Sequence, residues 1–237
     1  MLSFEISFTQ AQLDKLVRSA VLLWGGSYSN IVSVAVNSTD DPARFRGTVN
    51  YKDPGGKQVS LTLSHEVLVE AVSLASANEG NPIDPASLTF QYNPGRGFGG
   101  GSSVSAKAMT SSEPSSKAEK TPGKLTFPGI IERRFAEDEV KELLKSAARR
   151  QGGKANSASF NAQGEPKAEI TIEISAGKTG TVTWKGDILT AQLTAELTAS
   201  GYVVAPDGIS YNYTPGAGFG GPPRHGINVQ LSAIPLV

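Results

Sequence analysis

Apolar residues alternate at the start of the chain, with Phe4, Ile6 and Phe8 on one side of residues 2–8, the period of a half-buried strand. The pattern then changes. Thr9 and Gln12 have capping-box spacing, in which the hydroxyl and the amide side chain satisfy helix-end amides reciprocally, and Phe8 and Leu13 stand at the staple positions. Leu13, Leu16, Val17, Ala20 and Trp24 follow at helical spacing, and Gly25 stops the helix. Alternation returns over 31–36, 45–51 and 59–63, with Asp53-Pro54-Gly55-Gly56 as the turn between the last two. A second helix carries Val67, Leu68, Ala71, Val72 and Ala75. A strand over 88–92, a Gly-rich loop and a strand over 104–109 complete the run. The order β-α-β-β-β-α-β-β, with consecutive hairpin-length connections, predicts an α+β unit: a mainly antiparallel sheet with two helices on one face.

The same order is written again. Asn93-Pro94-Gly95-Arg96-Gly97-Phe98-Gly99-Gly100 returns as Thr214-Pro215-Gly216-Ala217-Gly218-Phe219-Gly220-Gly221, an offset of 214 − 93 = 121. Upstream, Leu88, Phe90 and Tyr92 match Ile209, Tyr211 and Tyr213. Nearer the start the offset becomes 131 − 4 = 127, and Leu13, Leu16, Val17 and Ala20 match Val140, Leu143, Leu144 and Ala147. The second copy has strands over 158–160, 170–174, 181–184 and 227–234, and its second helix carries Ile188, Leu189, Leu193 and Leu197. Ala136 replaces the capping Thr there, while Glu137-Asp138-Glu139 and Arg149-Arg150 complement the helix dipole. Agreement of apolar phase over a whole unit predicts tandem duplication, a pseudo-dimer. The expected organisation is a first α+β repeat over 1–109, a flexible Ser/Pro/Lys/Glu linker over 110–125 and a second repeat over 126–237.

Composition narrows the chemistry. The 237 residues include 22 basic and 22 acidic side chains, so net charge gives no prior for a polyanion partner. The absence of Cys excludes disulfides, thiolate catalysis and Cys-ligated metals, and two His leave no His-rich site within the chain. No apolar run approaches the ~20 residues of a membrane span, and the first residues lack the pattern of a signal peptide. A soluble, cytoplasmic protein without membrane contact or cofactor is the expectation.

Both Gly-rich loops contain G-x-G-x-x-G, at Gly95-Gly97-Gly100 and Gly216-Gly218-Gly221. A dinucleotide fingerprint needs a helix after the loop to receive the pyrophosphate. The first loop runs instead into alternating residues, and the second is followed by Pro222-Pro223, so that reading fails. Two readings remain: a tight connection in which the Phe folds over the sheet edge, or a recognition loop that offers backbone amides to an anion or the Phe to a partner. The candidate binding residues are Arg96, Gly97, Phe98, Gly99, Gly218, Phe219, Gly220 and Arg224. Ala217 stands where Arg96 stands in the first copy.

Other candidates have plainer explanations. His65-Glu66 opens a helix, and His225 follows Arg224 in a loop. Asp40-Asp41 with Asn37 lacks the spacing of a calcium loop and fits an Asx turn before Pro42. Arg133, Arg134, Lys141, Lys145, Arg149, Arg150 and Lys154 form a local basic group, expected to make solvated ion pairs with Glu132, Glu137 and Glu142. Nucleophile elbows and H-E-x-x-H are absent.

The leading functional expectation is a non-enzymatic binding or assembly protein that contacts a protein partner, or itself, through the Gly-Phe-Gly loops and sheet edges. The alternative is a binder of an anionic ligand, a nucleotide or nucleic acid, that uses the loops with Arg96, Arg224 and the Arg149-Arg150 group. An enzyme with a carboxylate-based site ranks third, because no residues single themselves out and His is scarce.

Overall fold

A computed structural model describes residues 4–39, 44–53, 55–95, 102–111, 123–175, 178–216 and 222–235. The chain is α+β, with mainly antiparallel sheets and four α-helices among the described residues. It divides into two compact units, Met1–Glu132 with Ser232–Val237, and Arg133–Leu231.

In the first unit Thr9 does what its spacing predicts. Its N–H donates to Gln12 Oε1 (2.8 Å) and its hydroxyl accepts the Gln12 N–H (3.4 Å), so β1 (Glu5–Phe8) turns directly into α1 (Gln10–Leu23). Then come β2 (Ile31–Ser38), β3 (Phe45–Lys52), β4 (Gln58–Leu63), α2 (His65–Asn78), a single 3-10 turn at Pro85–Ser87, β5 (Thr89–Asn93) and β6 (Ser103–Met109). Leu13, Val17, Ala20 and Val21 of α1 and Leu68, Ala71, Val72 and Ala75 of α2 lose all contact with solvent, as do Val49, Tyr51, Leu61 and Leu63 of β3 and β4. This is the core that the helical and alternating periods outline.

The expected single sheet is split. β1, β6 and β5 form one antiparallel set in the order β1-β6-β5, and β2, β3 and β4 follow one another in a second. The cause is local. β1 ends at Phe8, opposite Ala106, so the next part of β6 has a helix where a strand would be. The Gln10 side chain takes that place: its Oε1 accepts the Val104 N–H (2.6 Å) and its Nε2 donates to the Val36 carbonyl of β2 (3.1 Å) and to Asp14 (2.9 Å). Asp14 accepts the Val36 N–H (3.0 Å), and Arg18 donates to the Ile31 carbonyl (3.5 Å). Gln10, Asp14 and Arg18, four residues apart on one helix stripe, thus satisfy the edge of β2.

β7 (Lys124–Ala136) crosses the division between the units. Its residues 124–132 belong to the first unit, where the Phe127 ring meets Trp24 edge-on at 5.7 Å. Lys124 and Leu125, the last residues of the expected linker, lie in this strand. Most of the expected linker, residues 112–122, lies outside the described residues.

The second unit continues with α3 (Glu137–Arg150), β8 (Lys154–Asn161), β9 (Lys167–Ser175), β10 (Lys178–Lys185), α4 (Gly186–Ala199), β11 (Val203–Thr214) and β12 (Arg224–Pro235). β8, β9 and β10 form an antiparallel set in that order. Gly226 of β12 lies against β7, where an added Cβ would stand 2.7 Å from the Phe135 carbonyl oxygen. Ala136 cannot cap α3 with a side chain, and Glu139 compensates: one carboxylate oxygen accepts the Ala136 N–H (3.0 Å) and the other holds Arg133 (3.2 Å). Arg133 corrects one expectation. It is only 3% exposed, its guanidinium 4.2 Å from the Phe135 ring centroid and bonded to the Tyr202 hydroxyl, so that the Glu139 ion pair, this hydrogen bond and the aromatic face offset the cost of taking the cation out of water. The pairs Lys141–Glu137 and Lys145–Glu142 lie on the helix surface, as the spacing predicts.

Replacing Gln10 tests the bridge. Gln10→Leu leaves the Val104 N–H and the Val36 carbonyl without a side-chain partner, at about 1–3 kcal/mol for each buried group. Gln10→Glu keeps the acceptor and loses the donor, so its cost is smaller. Denaturant unfolding of the full chain should rank wild type above Gln10→Glu and Gln10→Glu above Gln10→Leu; equal midpoints would show that water substitutes for the amide.

Candidate functional site

Of the loop residues picked out by sequence, Arg96, Gly97, Phe98, Gly99, Gly218, Phe219 and Gly220 lie outside the described residues. Arg224 is the exposed first residue of β12, next to His225. The described structure brings together a different group.

It forms where β3 begins and α2 starts. Alternation along β3 buries Phe45, Gly47 and Val49 and turns Arg44, Arg46 and Thr48 outward. Arg46 faces Asn37 across the ladder, and Asn37 donates to Thr48 (3.3 Å). Ser64 caps α2 by accepting the Val67 N–H (3.3 Å), which puts His65 and Glu66 in the first turn. A cleft of about 620 Å³ results, lined by Arg44, Arg46, His65, Glu66 and hydroxyl and amide side chains including Ser64 and Asn37.

The His65 ring is held firmly. Its Nδ1 accepts the Phe45 N–H (3.2 Å), and its edge meets Phe90, which stacks on Phe45 at 5.3 Å. An Nδ1 that accepts an amide leaves the neutral ring's proton on Nε2 as a donor. Glu66 is held below the ordinary carboxylate range by its own backbone amide, then by the Ser64 hydroxyl, with His65 and Arg44 adding attraction. Among the described residues, the cleft is lined by Arg44, Arg46 and the carboxylate of Glu66. Arginine's planar fork is able to match phosphate or carboxylate oxygens.

The second unit has a related framework with other charges. Asn161 faces Lys167 across the β8–β9 ladder as Asn37 faces Arg46. His225 Nδ1 accepts the Ala162 N–H (3.1 Å), with the Tyr213 ring 5.3 Å away. Lys167 pairs with Glu169 at 2.5 Å and holds that carboxyl below its usual range. Glu165 also lies at this end, 3.6 Å from where a Cβ on Gly186 would stand. Asn161 makes an Asx turn, accepting the Gln163 N–H (2.8 Å); the Asx turn expected before Pro42 falls on residues 40–43, outside the described residues.

Sequence reasoning passed over Arg44 and Arg46. The usable signal was Arg-Phe-Arg in an alternating strand, two outward cations around an inward ring, followed later by Ser-His-Glu at a helix start. What the sequence could not show is that these two short segments meet.

His65→Ala removes the ring nitrogen that accepts the Phe45 N–H. Hydrogen exchange of the Phe45 amide in the full chain should then be faster than in the wild type, by the about 0.5–1.5 kcal/mol of one lost hydrogen bond. Equal exchange in the two proteins would contradict the contact. Comparison of the chain with protein-family models, curated proteins and solved structures finds no match.

Proposed function

We propose that the chain is an internally duplicated binding protein whose first unit holds a small anionic ligand in the cleft of Arg44, Arg46 and His65. The observation that carries this reading is the cleft itself: about 620 Å³, within the usual range for small-molecule sites, and edged by two outward arginines. The first turn of α2 adds the partial positive charge of a helix N-terminus. This reading takes up the alternative drawn from sequence, an anionic ligand, rather than the leading one, and moves its site from the Gly-rich loops to the β3–α2 junction.

Several correspondences support duplication. The four helices are each 14 residues long. β2-β3-β4 and β8-β9-β10 have the same antiparallel order and each leads into a helix. Glu137 of α3 receives the His225 backbone N–H, as Gln10 of α1 receives that of Val104. Two units in one chain are free to diverge, and Glu165 and Glu169 in the second favour a cationic cleft in the first alone. The third reading, an enzyme with a carboxylate-based site, draws no support from the described lining of the cleft, in which Glu66 is the carboxylate. A protein partner is favoured by a different observation, the open side of β10.

Calorimetric titration of the full chain with inorganic pyrophosphate at low and high salt tests the cleft. Binding should weaken as salt rises. Arg46→Ala should weaken it about tenfold or more, the scale of one lost charge-assisted hydrogen bond. Glu66→Gln removes the competing carboxylate and should strengthen it. Binding indifferent to Arg46→Ala, or no binding at millimolar ligand, would overturn the reading.

A further inference from the structure

The first unit closes one side of β4 with its own chain. β7 is the neighbour of β4 in the sheet, and residues 124–132 belong to that unit. Leu125 and Phe127 are buried there, and Gly129 comes so close to α2 that an added Cβ would stand 2.8 Å from the Val67 side chain. Val59 and Leu61 of β4 are buried, and Val67 is 2% exposed.

β10 is the corresponding strand of the second unit, the last of its antiparallel set and the one that leads into a 14-residue helix. Among the described residues no strand lies on its other side. The apolar residues at the matching places are uncovered. Ile188, third in α4 as Val67 is third in α2, is 60% exposed. Gly180 and Val182, which match Val59 and Leu61, are half-buried. Ile174 of β9, 2.6 Å from where a Cβ on Gly180 would stand, is 70% exposed.

We infer that the open side of β10 is the seat of one extended strand from another polypeptide, with the alternating pattern of Leu125, Phe127 and Gly129. The inference rests on the reading of the chain as a duplicated binding protein. Main-chain hydrogen bonds to the unpaired edge supply affinity, and alternate apolar side chains cover Val182, Ile174 and Ile188. A glycine opposite Ile188 admits the helix as Gly129 admits α2. Charge disfavours a second copy of β10 as the occupant: antiparallel pairing of Lys178–Lys185 with itself sets Lys178 opposite Lys185, whereas a partner strand with acidic ends complements both.

The test uses the full chain and a synthetic peptide, Gly-Glu-Leu-Thr-Phe-Pro-Gly-Ile-Ile, the sequence of residues 123–131 with Lys124→Glu. Hydrogen exchange should slow across residues 179–185 when the peptide is added. Ile188→Asp, at an exposed position, should weaken that protection at least tenfold in peptide concentration, and a peptide with Asp in place of Phe should give none. Protection at β4 instead of β10, or protection that survives Ile188→Asp, would overturn the inference. So would the absence of any protection. Exchange measured against protein concentration without peptide separates the outcomes. If 179–185 become protected by self-association, the patterned-strand inference fails and partner binding through this edge stands. If neither peptide nor self-association changes β10, both fail.

Discussion

Gln10 stands where two sheets come apart, and the arrangement of the first unit depends on how its amide is used. A strand that stops against a helix leaves peptide groups that no other strand can pair, and such groups cost free energy when they are buried. Val104 and Val36 are in that position, and a side chain able both to accept and to donate answers both. The helix is therefore fixed against two sheets by hydrogen bonds as well as by its apolar stripe. The second unit meets the same demand with a charged group: Glu137 accepts the His225 N–H and pairs with Lys141 at 2.6 Å. The Lys141 contact is the main reason that the Glu137 carboxyl sits below its ordinary range.

From this constraint follows where function can sit. With α1 engaged along the edge of β2, the outward side of β3 presents polar residues, where Arg44, Arg46 and Thr48 alternate with buried neighbours. In each unit a histidine braces this end by accepting a backbone amide through Nδ1, yet the two histidines come from different elements, α2 in one and β12 in the other. The brace is common to both, while the charges around it differ. On the proposed reading, one member of a duplicated pair keeps a ligand site and the other is released to a different task. Uncovered apolar residues beside β10 are consistent with such a second task.

Much of the fold is legible in the residue pattern because local rules act alone there. Thr9 and Gln12 cap a helix whatever surrounds them, and the alternation of Phe45, Gly47, Val49 and Tyr51 follows from the pleat. Long-range facts are not legible in the same way. The split of the sheet depends on Gln10 reaching residues 26 and 94 positions away. The burial of Arg133 depends on Tyr202, 69 positions on, and on Glu139 being diverted to cap a helix that begins after Ala136. The cleft had the same difficulty, since glycine spacing draws attention to a loop while Arg-Phe-Arg reads as an ordinary strand.

The central claim is that one unit, and not its counterpart, binds an anion at the end braced by histidine. Amide NMR of the isotopically labelled full chain during a pyrophosphate titration tests it directly. The account predicts shifts concentrated at Ser38, Arg44, Arg46, Ser64 and His65, with Asn161, Lys167 and Lys185 unmoved. Equal shifts in both sets, or shifts in neither, would contradict it.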